Sequence, residues 1–256
     1  MITIKNTENL AGVTISGDYN DLSSLVEAFY DITIDENSEK YHGYIDISTR
    51  VLGLCYDIRH AYQGDREVEL TDNNMTEEKM KWHSVIAPKC NVYYSCNYLY
   101  PEMFFVMLAL NKLVELRIRD LAKVKYIYSE ALDKKVIWDE TIAIIRIFQA
   151  EFVKCVKDTF TGNTFVRWLN VMNSDYIDIE NLATQYMDLL NIKYINMTKE
   201  KRRKNLFSTA RRIAEFYYDN DHKEIKKVVT EAARERGCNP GSIQLKGVEY
   251  PGDFEW

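Results

Sequence analysis

Asn91–Leu110 reads N-V-Y-Y-S-C-N-Y-L-Y-P-E-M-F-F-V-M-L-A-L, and two kinds of backbone meet inside it. From Asn91 to Leu99 the side chains alternate. Val92, Tyr94, Cys96 and Tyr98 face one way and Tyr93, Ser95, Asn97 and Leu99 the other, the period of two that marks a strand. Pro101 then ends the strand and suits the first position of a helix, where Glu102 beside it meets the positive end of the helix dipole. Phe104–Leu110 is apolar on every side, which predicts a helix buried all round at the centre of the core.

Outward from this stretch, Ile2–Lys5 and Gly12–Ser16 are short β-branched runs joined by the turn-prone N-T-E-N, and they predict a pair of strands. Asp21 stands as a cap before a helix whose inner side is Leu22, Leu25, Val26 and Phe29. After a polar connection over 35–40 comes R-V-L-G-L-C-Y-D-I-R-H-A-Y-Q-G-D-R-E-V-E (50–69). Here Val51, Leu54, Cys55, Ile58 and Ala61 keep helical spacing until Gly64 supplies a left-handed stop. A strand near Glu67–Leu70 follows, then a short helix capped by Thr76 and running to about His83.

Beyond about Tyr126 the strand pattern disappears. Successive helical faces are Ile142, Ile145, Phe148, Phe152 and Val156; then Ile179, Leu182, Ala183, Tyr186 and Leu190, with Asp178 as cap. Leu206, Ala210, Ile213 and Tyr217 form another, and Ile225, Val228, Val229 and Ala232 the last, stopped by Gly237. The tail Ser242–Trp256 is suited to an edge strand returning to the sheet. The expected fold class is α+β: a small antiparallel sheet with packed helices in 1–125, then a helical subdomain in 126–256 with a C-terminal strand or tail, the two sharing one core.

The composition, 46% hydrophobic and 28% charged over 256 residues, is that of a globular chain with a core, and ten Gly and four Pro leave no room for linkers built from them. Eighteen Tyr fit either a recognition surface or a codon bias. Five Cys, with no C-x-x-C pair, signal neither a disulfide framework nor a zinc knuckle and fit a reducing compartment. The N-terminus has no basic segment followed by an apolar run, and Met103–Leu110 is too short to cross a bilayer. The expectation is a soluble cytoplasmic protein with no membrane partner.

Asp57 and His60 project from the same side of their helix, a spacing that suits a carboxylate orienting an imidazole as well as it suits an ordinary local polar pair. With Arg59 or Arg66 to hold an anion, and His83, Asn97 and Glu102 brought to one sheet edge, they would make a general-base site of a hydrolase or phosphate-handling enzyme. No G-x-S-x-G, S-x-x-K or Cys–His motif supplies a nucleophile. Asp57-x-x-His60 is too few ligands for a metal, and His42 and His222 fall on segments expected to be exposed. Neither phosphate-loop pattern occurs, so no metal or cofactor is expected. The acids Glu67, Glu69, Asp72, Glu77 and Glu78 read as a solvated rim.

Charge is divided along the chain. Residues 199–236 hold twelve Lys or Arg against seven Asp or Glu (+5), and the remainder 21 against 32 (−11). T-K-E-K-R-R-K-N (198–205) opens a helix, where cations oppose the dipole, so helix stability alone does not select them. Lys201, Arg202, Arg203, Lys204, Arg211 and Arg212 are therefore candidates to contact nucleic-acid phosphate or an acidic protein partner, including a second copy. Against this stands a solvated face balanced by Glu215, Glu224 and Glu231.

Together, I-T-I-K-N-T-E-N-L-A-G-V-T-I-S-G-D-Y (2–19), L-G-L-C-Y-D-I-R-H-A-Y-Q-G-D-R-E-V-E-L (52–70) and N-V-Y-Y-S-C-N-Y-L-Y-P-E (91–102) resemble a family of uncharacterised bacterial proteins. The resemblance covers roughly the first half of the chain. It implies a bacterial or phage-borne cytosolic protein and brings no activity, cofactor or catalytic residue. The leading expectation is a binding or interaction protein that self-associates; the alternatives are the Asp–His enzyme and nucleic-acid binding through the basic helix.

Overall fold

The strand read from Asn91–Leu99 is β4 (Cys90–Leu99), and with β1 (Thr3–Asn6), β2 (Gly12–Gly17) and β3 (Glu67–Asp72) it forms one antiparallel sheet in the order β1-β2-β4-β3. The computed structural model describes residues 1–122, 133–174, 177–247, 250–251 and 254–256. Gly12 opposes Leu99 and Gly17 opposes Tyr94, while Glu67 opposes Ser95 and Asp72 opposes Cys90. A Cβ at Gly12 would lie 1.9 Å from the Tyr98 carbonyl oxygen, so only glycine lets β2 approach β4 there.

Helix α1 (Tyr19–Ile32) starts one turn earlier than Asp21 suggested. Asp18 is its cap, accepting from the Asp21 amide at 2.9 Å, and Asp21 completes a capping box by accepting from the Asp18 amide. Helix α2 (Ile45–His60) runs into a π turn, Ala61–Asp65, in which Gly64 takes φ +90° and turns the chain into β3. Thr76 caps α3 (Glu77–His83) as expected. In α4 (Tyr100–Ala122) every residue from Tyr100 to Leu110 is buried, the all-round burial its sequence predicts.

The second half contains α5 (Lys134–Ile137), α6 (Glu140–Thr159), α7 (Gly162–Met172), α8 (Gln185–Ile195), α9 (Lys199–Ala214) and α10 (Asn220–Arg236). One cluster of buried side chains runs through both halves, from Ile4 and Ile15 of the sheet through Phe104 and Phe152 to Trp168, Leu206 and Phe216. Phe104 packs its ring on Tyr100, Phe152 and Trp168 at 5.6, 5.8 and 6.2 Å, and burial of each such ring stabilises by about 2–3 kcal/mol. The expected division at 125 and 126 lies outside the described residues.

Five local expectations are corrected. Asp178 precedes only a short 3-10 turn, Ile179–Asn181, and α8 begins at Gln185, because Leu182 is extended at φ −76°, ψ 124°. Helix α9 stops at Ala214, so Phe216 takes the buried place assigned to Tyr217, which is exposed. Gly237 does end α10, at φ +62°, but Val228 is exposed while Val229 and Ala233 are buried. The tail returns to the sheet end, where Trp256 O accepts from the Asn9 amide at 2.7 Å, and its described residues form no strand.

His222 is the fifth correction: it is 2% exposed, with its ring against Phe216 and Tyr186. Its Nε2 accepts from the Ala183 amide at 3.1 Å, which requires the neutral ring, and burial pushes its pKa down to about 4. Lys226 pushes in the same direction and Asp219 opposes. A histidine depressed in the fold stabilises fully above its unfolded pKa near 6.5, and that contribution disappears as the pH falls toward 4. Urea unfolding should therefore lose about 3 kcal/mol across that window, and His222→Gln should flatten the slope there. An unchanged slope in the Gln variant would remove His222 as the cause.

Candidate functional site

The candidates from 50–69 meet the strand end at a cleft of about 830 Å³. The close of α2 and its π turn contribute Asp57, Asp65 and Arg66; β4 contributes Cys96, Asn97 and Tyr98; α4 contributes Glu102; the tail contributes Tyr250, Phe254 and Trp256. The cleft arises because β3 begins at Glu67, opposite Ser95, so that β4 runs on to Leu99 without β3 beside it.

Within it, the expected Asp57–His60 pair is replaced by two others. Asp57 accepts from Arg66 Nη2 at 3.1 Å, and His60 Nδ1 lies 2.8 Å from Asp65 Oδ2. The π turn is the cause, since it carries Asp65 back beside the imidazole Nδ1, while the ring lies tilted against Tyr56 with centroids 4.2 Å apart. Asp57, Arg66, Asn97 and Glu102 thus line one cleft, whereas His60 stands behind Asp65. Arg59 is directed elsewhere, over the Tyr56 ring and to the Tyr30 hydroxyl at 3.4 Å. His83 sits on α3, exposed beside Trp82, and does not line the cleft. Burial pushes the Cys96 thiol up to about 12, so it is protonated at neutral pH and is not a nucleophile as it stands.

Beside the cleft lies a partly buried network that was not read in the sequence. Glu102 accepts from Arg50 Nε at 3.0 Å, from Arg50 Nη2 and from Asn191 Nδ2. Arg50 also donates to Asp188 Oδ1 and to the Thr184 carbonyl, each at 2.8 Å, and Asn191 donates to the Tyr250 hydroxyl at 2.8 Å. Burial opposes the charge on Arg50, but Glu102 and Asp188 outweigh it and raise its pKa. The network ties α2 to α4, α8 and the tail. Its members are too far apart in sequence for any local spacing to reveal them.

The basic helix is divided by the fold. Arg202 is 4% exposed and donates to four main-chain carbonyls: Ile195 at 2.7 Å, Asn9 at 3.0 Å, Glu255 at 3.1 Å and Tyr194 at 3.4 Å. It is therefore a structural residue and is withdrawn from the contact surface. Arg212 is held by Asp219 and Asp221, and Arg211 by Glu215. Lys201, Arg203 and Lys204 stay exposed, with no ion pair among the described residues.

A different surface emerges at the far end of the sheet. No residue between Ala61 and Ser95 is buried, and that span contains Val68, Leu70, Trp82, Val85, Ile86 and Val92 among the exposed large apolar residues. It forms a projecting arm: β3, α3 and the start of β4. The arm's order is local. Asn73 donates through Nδ2 to the Pro88 carbonyl at 2.9 Å, the Asn73 amide to the Lys89 carbonyl at 3.0 Å, and Lys79 Nζ to the Asn74 carbonyl at 2.8 Å. Leu70 is 72% and Trp82 81% exposed, which solvated scaffolding does not explain. Glu67, Glu69, Asp72, Glu77 and Glu78, read as a solvated rim, all lie on this arm.

Among the described residues no helix is long and apolar enough to cross a membrane, and no three His, Cys, Asp or Glu side chains are grouped to hold a metal. A family model described as a domain of unknown function, DUF6904, matches residues 2–256, nearly the whole chain, where the resemblance read in the sequence stopped at the first half. No curated protein and no solved structure matches.

Proposed function

The chain belongs to the DUF6904 family, a membership that assigns no activity, and from that premise we propose that it is an interaction protein whose β3–α3–β4 arm docks a protein partner. The observation that carries this reading is the arm itself: a stretch that keeps secondary structure and exposes six large apolar side chains while burying none of its own. Hydrophobic burial is what normally offsets the entropy of ordering a chain, and here the arm's apolar surface is left for another molecule to cover. Reduced thiols and the sequence likeness support a bacterial or phage-borne protein of the cytoplasm. The enzyme reading has less support, because His60 stands outside the cleft lining and burial keeps the Cys96 thiol of the cleft protonated.

Removing the arm tests this. Glu69 and Tyr93 are directly opposed across β3 and β4, so an Asn-Gly turn can replace residues 70–92 between them, which takes away Leu70, Trp82, Val85, Ile86 and Val92 with the outer length of β3. In its own host, the full chain should purify with a partner at fixed stoichiometry, and the trimmed chain without it. Equal recovery by both chains would refute the proposal.

A further inference from the structure

Resting on the arm as the docking surface, we infer that the partner contributes an extended segment of alternating cationic and apolar residues that adds to the sheet along the free edge of β3. Backbone geometry defines the edge. The Asn73 amide bonds the Lys89 carbonyl directly opposite, so in the antiparallel ladder the odd-numbered residues Glu67, Glu69 and Thr71 turn their amides and carbonyls toward β4. Val68, Leu70 and Asp72 turn theirs outward. Among the described residues those outward groups have no partner, and β3 is the last strand of the sheet on that side.

The side chains specify the occupant. Glu67 and Glu69 lie on one face of β3, and Val68 and Leu70, 50% and 72% exposed, on the other. Cross-strand neighbours on one face interact directly, so an added strand with Lys or Arg opposite the glutamates and apolar residues opposite Val68 and Leu70 is complementary on both faces. Only Val68, Leu70 and Asp72 turn bonding groups outward, so near the strand centre two copies can pair antiparallel about Glu69 or about Leu70; the first register sets Glu69 against its own copy, a like-charge contact that destabilises, and the second leaves Glu67 and Glu69 with no cation opposite. A foreign strand with cations opposite both glutamates therefore fits the edge better than a second copy of β3 does.

The test uses the whole chain and three synthetic peptides: alternating lysine and valine, a scrambled peptide of the same composition, and alternating glutamate and valine. Hydrogen exchange followed by NMR should show the amides of Val68, Leu70 and Asp72 slowed about tenfold or more by the first peptide alone, and less so as salt is raised. Glu67→Lys with Glu69→Lys, both at exposed positions, should exchange the preference in favour of the glutamate peptide. Equal binding of the scrambled peptide, protection elsewhere in the chain, or a preference unchanged by the double variant would each overturn the inference. Failure of the edge inference is distinguishable from failure of the arm. If the edge alone is wrong, trimming residues 70–92 still removes the host partner; if the arm is wrong, the partner stays.

Discussion

Arg202→Met lowers the free energy of unfolding by about 3 kcal/mol, the balance of several charge-assisted hydrogen bonds lost against the relief of one buried guanidinium. The four carbonyls that Arg202 bonds come from separate places: Tyr194 and Ile195 at the end of α8, Asn9 in the β1–β2 turn, and Glu255 in the tail. The first two lie in the last turn of α8, where a cation is favourable, and the Tyr194 carbonyl also accepts from the Met197 amide at 3.1 Å. Arg202→Lys should not rescue, since an ammonium on a flexible stem cannot present donors in a fork to all four. Denaturant titration measures it, with an unchanged slope showing that the same surface is exposed on unfolding. A loss below about 1 kcal/mol in the Met variant would mean that water replaces the guanidinium without cost, and the docking of the tail would need another explanation.

Glu102→Ala has the largest expected effect in the first half, about 3–5 kcal/mol, because it strips a buried arginine of its main counter-ion. Asp188 remains within 2.8 Å of Arg50 but contributes one oxygen where Glu102 contributes two. Glu102→Gln keeps an acceptor and the packing volume, so its loss should be smaller, and a double change with Arg50→Met should be milder than the two single losses added. Full additivity would show that the two side chains are not coupled.

These two residues show where sequence reading succeeds and where it stops. Glu102 is legible as a dipole-favoured residue after Pro101, and the burial of Phe104–Leu110 follows from its all-apolar run, because both are local properties. Its pairing with Arg50 and Asn191 is tertiary and leaves no periodic trace. Arg202 looked like one more cation in K-R-R-K, since nothing local separates it from Arg203; only the carbonyls converging from three other segments select it. His60 found Asp65 and not Asp57 because a π turn moved the chain by part of a turn, which helical spacing cannot anticipate. The arm's elements were legible, and its exposure was not. Alternating V-E-L reads as half-buried in any strand, and only the sheet order places β3 at an edge with nothing over it.

The trimmed chain, with Asn-Gly in place of residues 70–92, tests the central claim most directly when its urea midpoint is read beside partner recovery. A surface held for another molecule predicts stability unchanged to within about 1 kcal/mol together with complete loss of the partner. A large fall in stability, or a partner retained at full stoichiometry, would contradict it.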